Sequence, residues 1–277
     1  NVFAPEGDTT YHAIGFGGRC KLLCCFGQTG GKRDMRIPIG PTADAFTECN
    51  EKGKSGSSVY NALNTAVERL LKSADVDNSR VFGIIAATEY GSSDIFVYAE
   101  RVIMDKGLKG FRAQLASRMI LCEPASQTAI TRNIKGMNLT LVGQGNGFIS
   151  ALEFVCVTEQ LSEGRMMIIG EGEMAGDQAY GGAVLLGGSG NCFLKAVRTG
   201  FASNDTEKEA AEEELFKLCC ADAGVSSENT KRIDLADSPD MSLGVVGLMS
   251  TALSMADKNI CIMSSNRGIL GCIIIGK

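Results

Sequence analysis

One stretch restricts the folds open to this chain more than any other: Asn138-Leu-Thr-Leu-Val-Gly-Gln-Gly-Asn-Gly-Phe-Ile-Ser-Ala-Leu-Glu-Phe-Val-Cys156. Leu139 to Val142 is short, apolar and β-branched enough to form a buried strand, while Phe148, Leu152, Val155 and Cys156 recur at the spacing of one helix face. Gly143, Gly145 and Gly147 separate the two runs. A strand, a glycine elbow and a helix start mark a place where a ligand or another chain can approach the backbone, because glycine has no side chain in the way and a helix start offers free N–H groups.

The same alternation of strand and helix continues on both sides. Ser57 or Ser58 is placed to cap a helix carrying Val59, Leu63, Val67, Leu70 and Leu71 on one face, and Val81 to Ala87 follows as a buried strand. Ile95 to Lys106 reads as a helix, and Phe111 to Ile134 as an irregular one broken at Pro124. Arg165 to Ile169 is a strand; Ala183 to Leu186 and Phe193 to Thr199 are two more, with Gly187-Gly-Ser-Gly190 of hairpin-turn composition between them. Glu207 to Cys220 is an amphipathic helix with an acidic, solvated face, Ala221 to Leu235 a loop and strand, Leu243 to Met255 an apolar helix and Ile260 to Met263 a strand. Near the start, Tyr11 to Phe16 and Lys21 to Phe26 are weakly patterned strands and Gly27 to Lys32 a turn. The later elements repeat the order of the earlier ones, so a long-period duplication is expected, with residues 1–190 as the first half and 191–277 as a shortened second half.

Composition excludes several classes. A net charge of −5 argues against a phosphate-backbone partner, and no apolar run reaches the ~20 residues of a membrane-spanning helix. The 11 cysteines include no CxxC spacing, and with a single histidine a zinc site is not expected. Cys24-Cys25 and Cys219-Cys220 are adjacent, and Cys156, Cys192, Cys261 and Cys272 lie in apolar patterns, so they read as small core residues. Asn1 opens the sequence without a methionine and nothing after it has the order of a signal peptide, which together with the odd cysteine count leads us to expect a reducing cytoplasm.

Gly136 to Leu152 resembles the β-ketoacyl synthase segment that runs through a strand into the nucleophile elbow, and the likeness extends upstream through Glu123-Pro-Ala-Ser-Gln-Thr-Ala-Ile-Thr-Arg-Asn-Ile134. Asp240-Met-Ser-Leu-Gly-Val-Val-Gly247 looks like that family's glycine-histidine segment, and Ser264-Ser-Asn-Arg-Gly-Ile-Leu-Gly271 stands where its closing glycine-rich loop would be. The resemblance covers residues 57 to 277. It implies the thiolase-like fold, a duplicated α/β/α/β/α sandwich, here truncated.

The family's catalysis uses an elbow cysteine and two histidines. Here the cysteine position is Gly145, with Gln144 before it, the second histidine position is Met241, and the only histidine is the distant His12. A ketosynthase fold without these groups is similar to a chain length factor, the silent subunit that heterodimerises with an active ketosynthase in type II polyketide or aryl-polyene synthesis. The resemblance implies that the partner supplies the cysteine and histidines and that the growing chain rides on a phosphopantetheinyl acyl carrier protein, with no cofactor bound by this subunit. It further implies a tunnel gated by Phe111, Met119, Ile120, Leu121, Gln144 and Phe148, and a dimer interface formed by Asn138, Leu139, Thr140, Leu141 and Val142. The acidic carrier protein would dock mainly on the partner.

Two other readings stand beside it. Gly143-Gln-Gly-Asn-Gly-Phe148 also resembles a dinucleotide fingerprint, with Glu171 placed as a ribose-binding acid, although Phe148 stands where the third glycine belongs. Alternatively, the thiolase-like fold has a hydrolytic or decarboxylating activity of its own through Glu171, Glu173, Cys122 or Cys156.

Overall fold

A computed structural model describes residues 36–48, 57–143, 146–158, 161, 165–175, 177–202, 204–235, 244–255, 258–266 and 268–277. The strands expected at 11–16 and 21–26 and the turn at 27–32 lie outside them. In chain order the elements are β1 (Ile37–Glu48), α1 (Ser58–Ala74), β2 (Val81–Thr88), α2 (Ser93–Lys106), α3 (Ala113–Ala116), α4 (Glu123–Thr131), β3 (Met137–Val142), α5 (Asn146–Thr158), β4 (Met166–Ala175), β5 (Gln178–Leu186), β6 (Cys192–Phe201), α6 (Asp205–Ala223), β7 (Thr230–Asp234), α7 (Gly244–Ser254), β8 (Asn259–Asn266) and β9 (Ile269–Gly276).

The strands form one mixed sheet in the order β3-β2-β4-β5-β1-β6-β9-β8-β7. The duplication is visible in it. In the first half β2 runs parallel to β4, β4 antiparallel to β5, and β5 antiparallel to β1; in the second, β7, β8, β9 and β6 repeat these relations in the same order. The helix-to-strand connections repeat as well. Asp75 (φ 50°) and Gly224 (φ 65°) end α1 and α6 in the left-handed region, and Asp77 and Ser226 then each accept a backbone N–H two residues on. The second half has no counterpart of β3 among the described residues.

Strand alternation divides the core into layers, because successive side chains face opposite sides of a sheet. Ile85, Met167, Ile169, Val184 and Leu186 of the first half, and Ile260, Ile262, Ile273 and Ile275 of the second, pack on α5 and α7 between them. Their sequence neighbours Ile84, Met166, Ile168, Ala183 and Leu185 face outward onto α1 and α4. Cys261, Met263, Cys272 and Ile274 face outward onto Leu215, Phe216, Cys219 and Cys220 of α6. The two halves of this one sheet therefore enclose α5 and α7, with α1 and α4 outside one half and α6 outside the other, which is the layering of the duplicated sandwich. Both central helices are apolar nearly all round because both of their sides meet a sheet.

Four local expectations are corrected. Strands β5 and β6 do not form a hairpin; each pairs with β1, which lies between them, and Gly187 N–H donates to Pro38 O at 2.9 Å as the chain crosses the end of β1. Pro124 does not break a helix over 111–134 but stands in the first turn of α4, where its missing N–H would have no helical partner. Strand β3 is not buried: among the described residues it is a sheet edge paired only with β2, and Val142 is 63% exposed. Residues 264–266 and 269–271 are not loop but the facing ends of β8 and β9, with Ser264 opposite Gly271.

Candidate functional site

The parallel strands β2, β3 and β4 finish side by side, with Thr88 opposite Val142 and Ala87 opposite Glu171. Ligand sites in α/β sheets gather at such carboxyl ends. Here Gly143 follows β3, with a φ of 148° that suits glycine, and its N–H donates to Thr88 O at 3.0 Å. The first residue of α5, Asn146, is 4% exposed; its Nδ2 donates to Ile269 O at 2.9 Å, and its Oδ1 has no hydrogen-bond partner.

The same end carries two carboxylates on one face of β4. Glu171 crosses to the other half of the molecule, where Oε2 accepts the Val245 N–H at 3.2 Å and Oε1 the Val246 N–H at 2.7 Å, at the start of α7. Tyr180 donates its hydroxyl to Oε1 at 3.2 Å. Glu173 accepts the Glu89 N–H and, at 3.4 Å, the Tyr90 N–H, pinning the segment after β2. Burial pushes the Glu171 carboxyl up to about 7, against the opposing pull of the Val246, Val245 and Tyr180 bonds. Burial likewise pushes Glu173 to about 7 against the Glu89 and Tyr90 bonds, with the Glu89 and Glu171 charges adding to the rise. A third acid, Glu123, joins the starts of α1, α2 and α4 by accepting from Ser57 Oγ at 2.7 Å and Ser92 Oγ at 3.0 Å. Its carboxyl is raised by burial, which outweighs the serine bonds.

These positions limit the chemistry of the expected residues. Gln144, Gly145, Met241 and His12 lie outside the described residues. Leu121 packs over Gly91 beside the end of β2 and is 41% exposed, Ile120 is 49% exposed, and Phe111 and Met119 are half-buried. Phe148 is wholly buried in the central helix layer. Asn138 and Val142 are exposed on the edge strand, and Leu139, Thr140 and Leu141 half-buried. Glu171 is not placed as a ribose-binding acid: both its oxygens are held by α7 and Tyr180, and the antiparallel β5 replaces the next parallel strand of a dinucleotide fold. Burial pushes the Cys156 thiol up to about 12, far from a reactive thiolate. Cys122 is exposed. Among the described residues no group of three or more His, Cys, Asp or Glu side chains could hold a metal ion, and no helix is long and apolar enough to cross a membrane.

Sequence reading did not single out Asn146, Tyr180, Ser264 or Ile269. Ser264 and Ile269 become visible only when the halves are superposed by strand order, since Ser264 faces Gly271 as Glu171 faces Gly182.

No family model and no curated protein sequence matches the chain. Solved structures do. The chain is similar to the ishigamide ketosynthase/chain length factor, with a TM-score of 0.69 and 14% identity over 81% of this chain and 82% of that one. A type II PKS acyl-carrier protein in complex with its ketosynthase bound to the hexaketide gives 0.68 and 9%, over 88% and 99%. The 3-oxoacyl-[acyl-carrier-protein] synthase III of Aquifex aeolicus VF5 gives 0.56 and 14%, over 86% and 99%. At these identities the likeness establishes a thiolase-like ketosynthase fold.

Proposed function

We propose that this chain is the non-catalytic, chain-length-factor-type partner of an active ketosynthase in type II polyketide or polyene synthesis. The observation that carries the reading is β3. It is a six-residue sheet edge next to the elbow, and none of its residues is charged. The opposite edge, β7, is five residues long and bears Lys231, Arg232 and Asp234, the kind of charge that keeps an edge from pairing. Pairing β3 with its counterpart in a homologous subunit would continue the sheet across a two-fold and cover Asn138 and Val142. The sequence supports the silent role, since a glycine occupies the nucleophile position and no histidine lies in the sequence around the elbow or α7.

In this reading the partner carries out decarboxylation and condensation on an acyl carrier protein. This subunit closes the chamber with the stretch from Phe111 to Leu121, of which Leu121 lies against the end of β2. Co-expression with ketosynthases and carrier proteins, capture through this chain, and sizing by light scattering test it. A stoichiometric ketosynthase that loses activity without this chain is the expected result; a partner-free chain with turnover of its own overturns it and favours the reading in which Glu171 or Glu173 acts.

A further inference from the structure

The duplication sets two equivalent corners of the molecule against each other, at the end of the sheet where β2 and β4 begin and away from the elbow. Met167 faces Leu186 as Ile260 faces Ile275, so Met166 corresponds to Asn259 and Gly187 to Gly276. Because Asp75 and Gly224 end the equivalent helices α1 and α6, Arg80 corresponds to Asn229. Strands β1 and β6 each carry a bulge at this level, Gly40 and Pro41 in one and Lys195 in the other.

In the second half the protein fills the corner itself. Lys195 Nζ donates to Asn259 Oδ1 at 3.0 Å, and a Cβ placed on Gly276 would stand 3.1 Å from that Nζ. The first half has no long side chain at its bulge, and Met166 replaces the asparagine. What remains is a pocket with a volume of about 120 Å³. Met166, Leu185 and Val76 give it apolar walls, and Asp75, Arg80 and Ser189 line its polar side.

The polar side calls for both signs of charge. Asp75 and Arg80 replace the uncharged Gly224 and Asn229, are exposed, and form no salt bridge with each other or with any described residue. The N–H groups of Gly188 and Ser189, in the turn after β5, likewise have no acceptor among the described residues. A dianion here meets Arg80 but is repelled by Asp75, and a simple ammonium has the opposite problem. A small zwitterion matches both. Size restricts it further: an apolar cavity of about 150 Å³ takes benzene, with six non-hydrogen atoms, so this one holds about five.

We propose that this pocket binds a small α-amino acid as its zwitterion, the carboxylate accepting from Arg80 and the Gly188–Ser189 turn and the ammonium donating to Asp75. The site involves no covalent step and lies at the opposite end of β2 and β4 from the elbow, so it stands or falls separately from the proposed function.

The test is a titration of isotope-labelled protein with glycine, followed through backbone amide resonances, with acetate, methylammonium and phosphate at matched ionic strength as comparison probes. Saturable shifts at Val76, Gly188 and Ser189 are expected, with Asn259 and Gly276 still because Lys195 fills that corner, and glycine should bind at least tenfold more tightly than any of the three probes. Arg80→Gln and Asp75→Asn change exposed side chains, and asparagine tolerates the left-handed φ of 50° at position 75, so both variants should fold and each should weaken glycine at least tenfold. Shifts absent at Gly188 and Ser189, equal shifts at both corners, acetate, methylammonium or phosphate binding as well as glycine, or folded variants with unchanged affinity would each overturn the site. The wild-type comparison of the two corners decides the matter without either variant.

Discussion

Glu171 Oε1 accepts the Val246 N–H at 2.7 Å, and this bond joins a strand of the first half to the first turn of a helix of the second. Glu171 lies on β4 and Val246 on α7, 75 residues apart in sequence. Removing the carboxyl leaves two buried N–H groups and the Tyr180 hydroxyl without their acceptor. We expect Glu171→Ala to lower unfolding free energy by about 2–4 kcal/mol, measured in urea, because buried orphaned donors cost about 1–3 kcal/mol each and solvent recovers part of it. Loss below about 1 kcal/mol would show that α7 does not depend on this bond.

Stability should also depend on pH through the two β4 carboxyls. Both are raised from 4.5 to about 7 by burial, so the folded protein binds more protons than the unfolded chain between those values. Their contribution is fully present below about pH 4.5 and is lost as pH rises through 7. Each pH unit between the two values is worth about 1.4 kcal/mol, so the loss is of order 3 kcal/mol for each group. Urea midpoints at pH 5.5 and pH 8 measure it, and Glu171→Gln and Glu173→Gln should each flatten the slope. A stability that rises over this window in the wild type and both variants would contradict the assignment.

Gly244 is expected to tolerate a side chain badly. Its φ of 57° is left-handed, and a Cβ added there would collide with Glu171 Oε1, whereas Gly224, φ 65°, has nothing within 4 Å. Alanine at Gly224 should cost about 1 kcal/mol, the conformational penalty alone, and alanine at Gly244 at least twice that. Equal losses would mean that the carboxylate moves aside freely.

If β3 is the pairing edge, charge on its exposed side should separate subunits without unfolding them. Asn138→Lys and Val142→Lys alter exposed side chains, so isolated-chain stability should stay within about 0.5 kcal/mol, while co-purified ketosynthase falls at least fivefold. An unchanged complex would place the interface elsewhere.

Thiol accessibility follows the layers. Among the cysteines of the described residues, Cys122 is exposed and should react first with an aromatic disulfide reagent. Cys156 and the buried Cys219, Cys261 and Cys272 should react only on unfolding, because burial raises Cys156 and Cys219 and a sulfur–sulfur contact of 3.4 Å, together with burial, raises Cys261. Peptide mapping after timed labelling distinguishes the order.

Much of this molecule was readable from local pattern. The face Val59, Leu63, Val67 and Leu70, the strand around Ile84 and Ile85, the helix after Gly147 and the repeated order of elements all follow from short-range periodicity, which sets which side of an element is apolar. What pairs with what did not follow. The insertion of β1 between β5 and β6, the exposure of β3 and the reach of Glu171 to α7 depend on contacts between residues far apart in sequence, and a turn-like glycine run or an apolar strand has the same local pattern in either arrangement. The sequence by itself determined most of the elements and the apolar faces of α1, β2 and α5. Only the tertiary structure decided that Glu171 of β4 reaches the start of α7 while Ser264 stands at the equivalent strand position of the second half, because that difference arises where two halves of the chain close on each other.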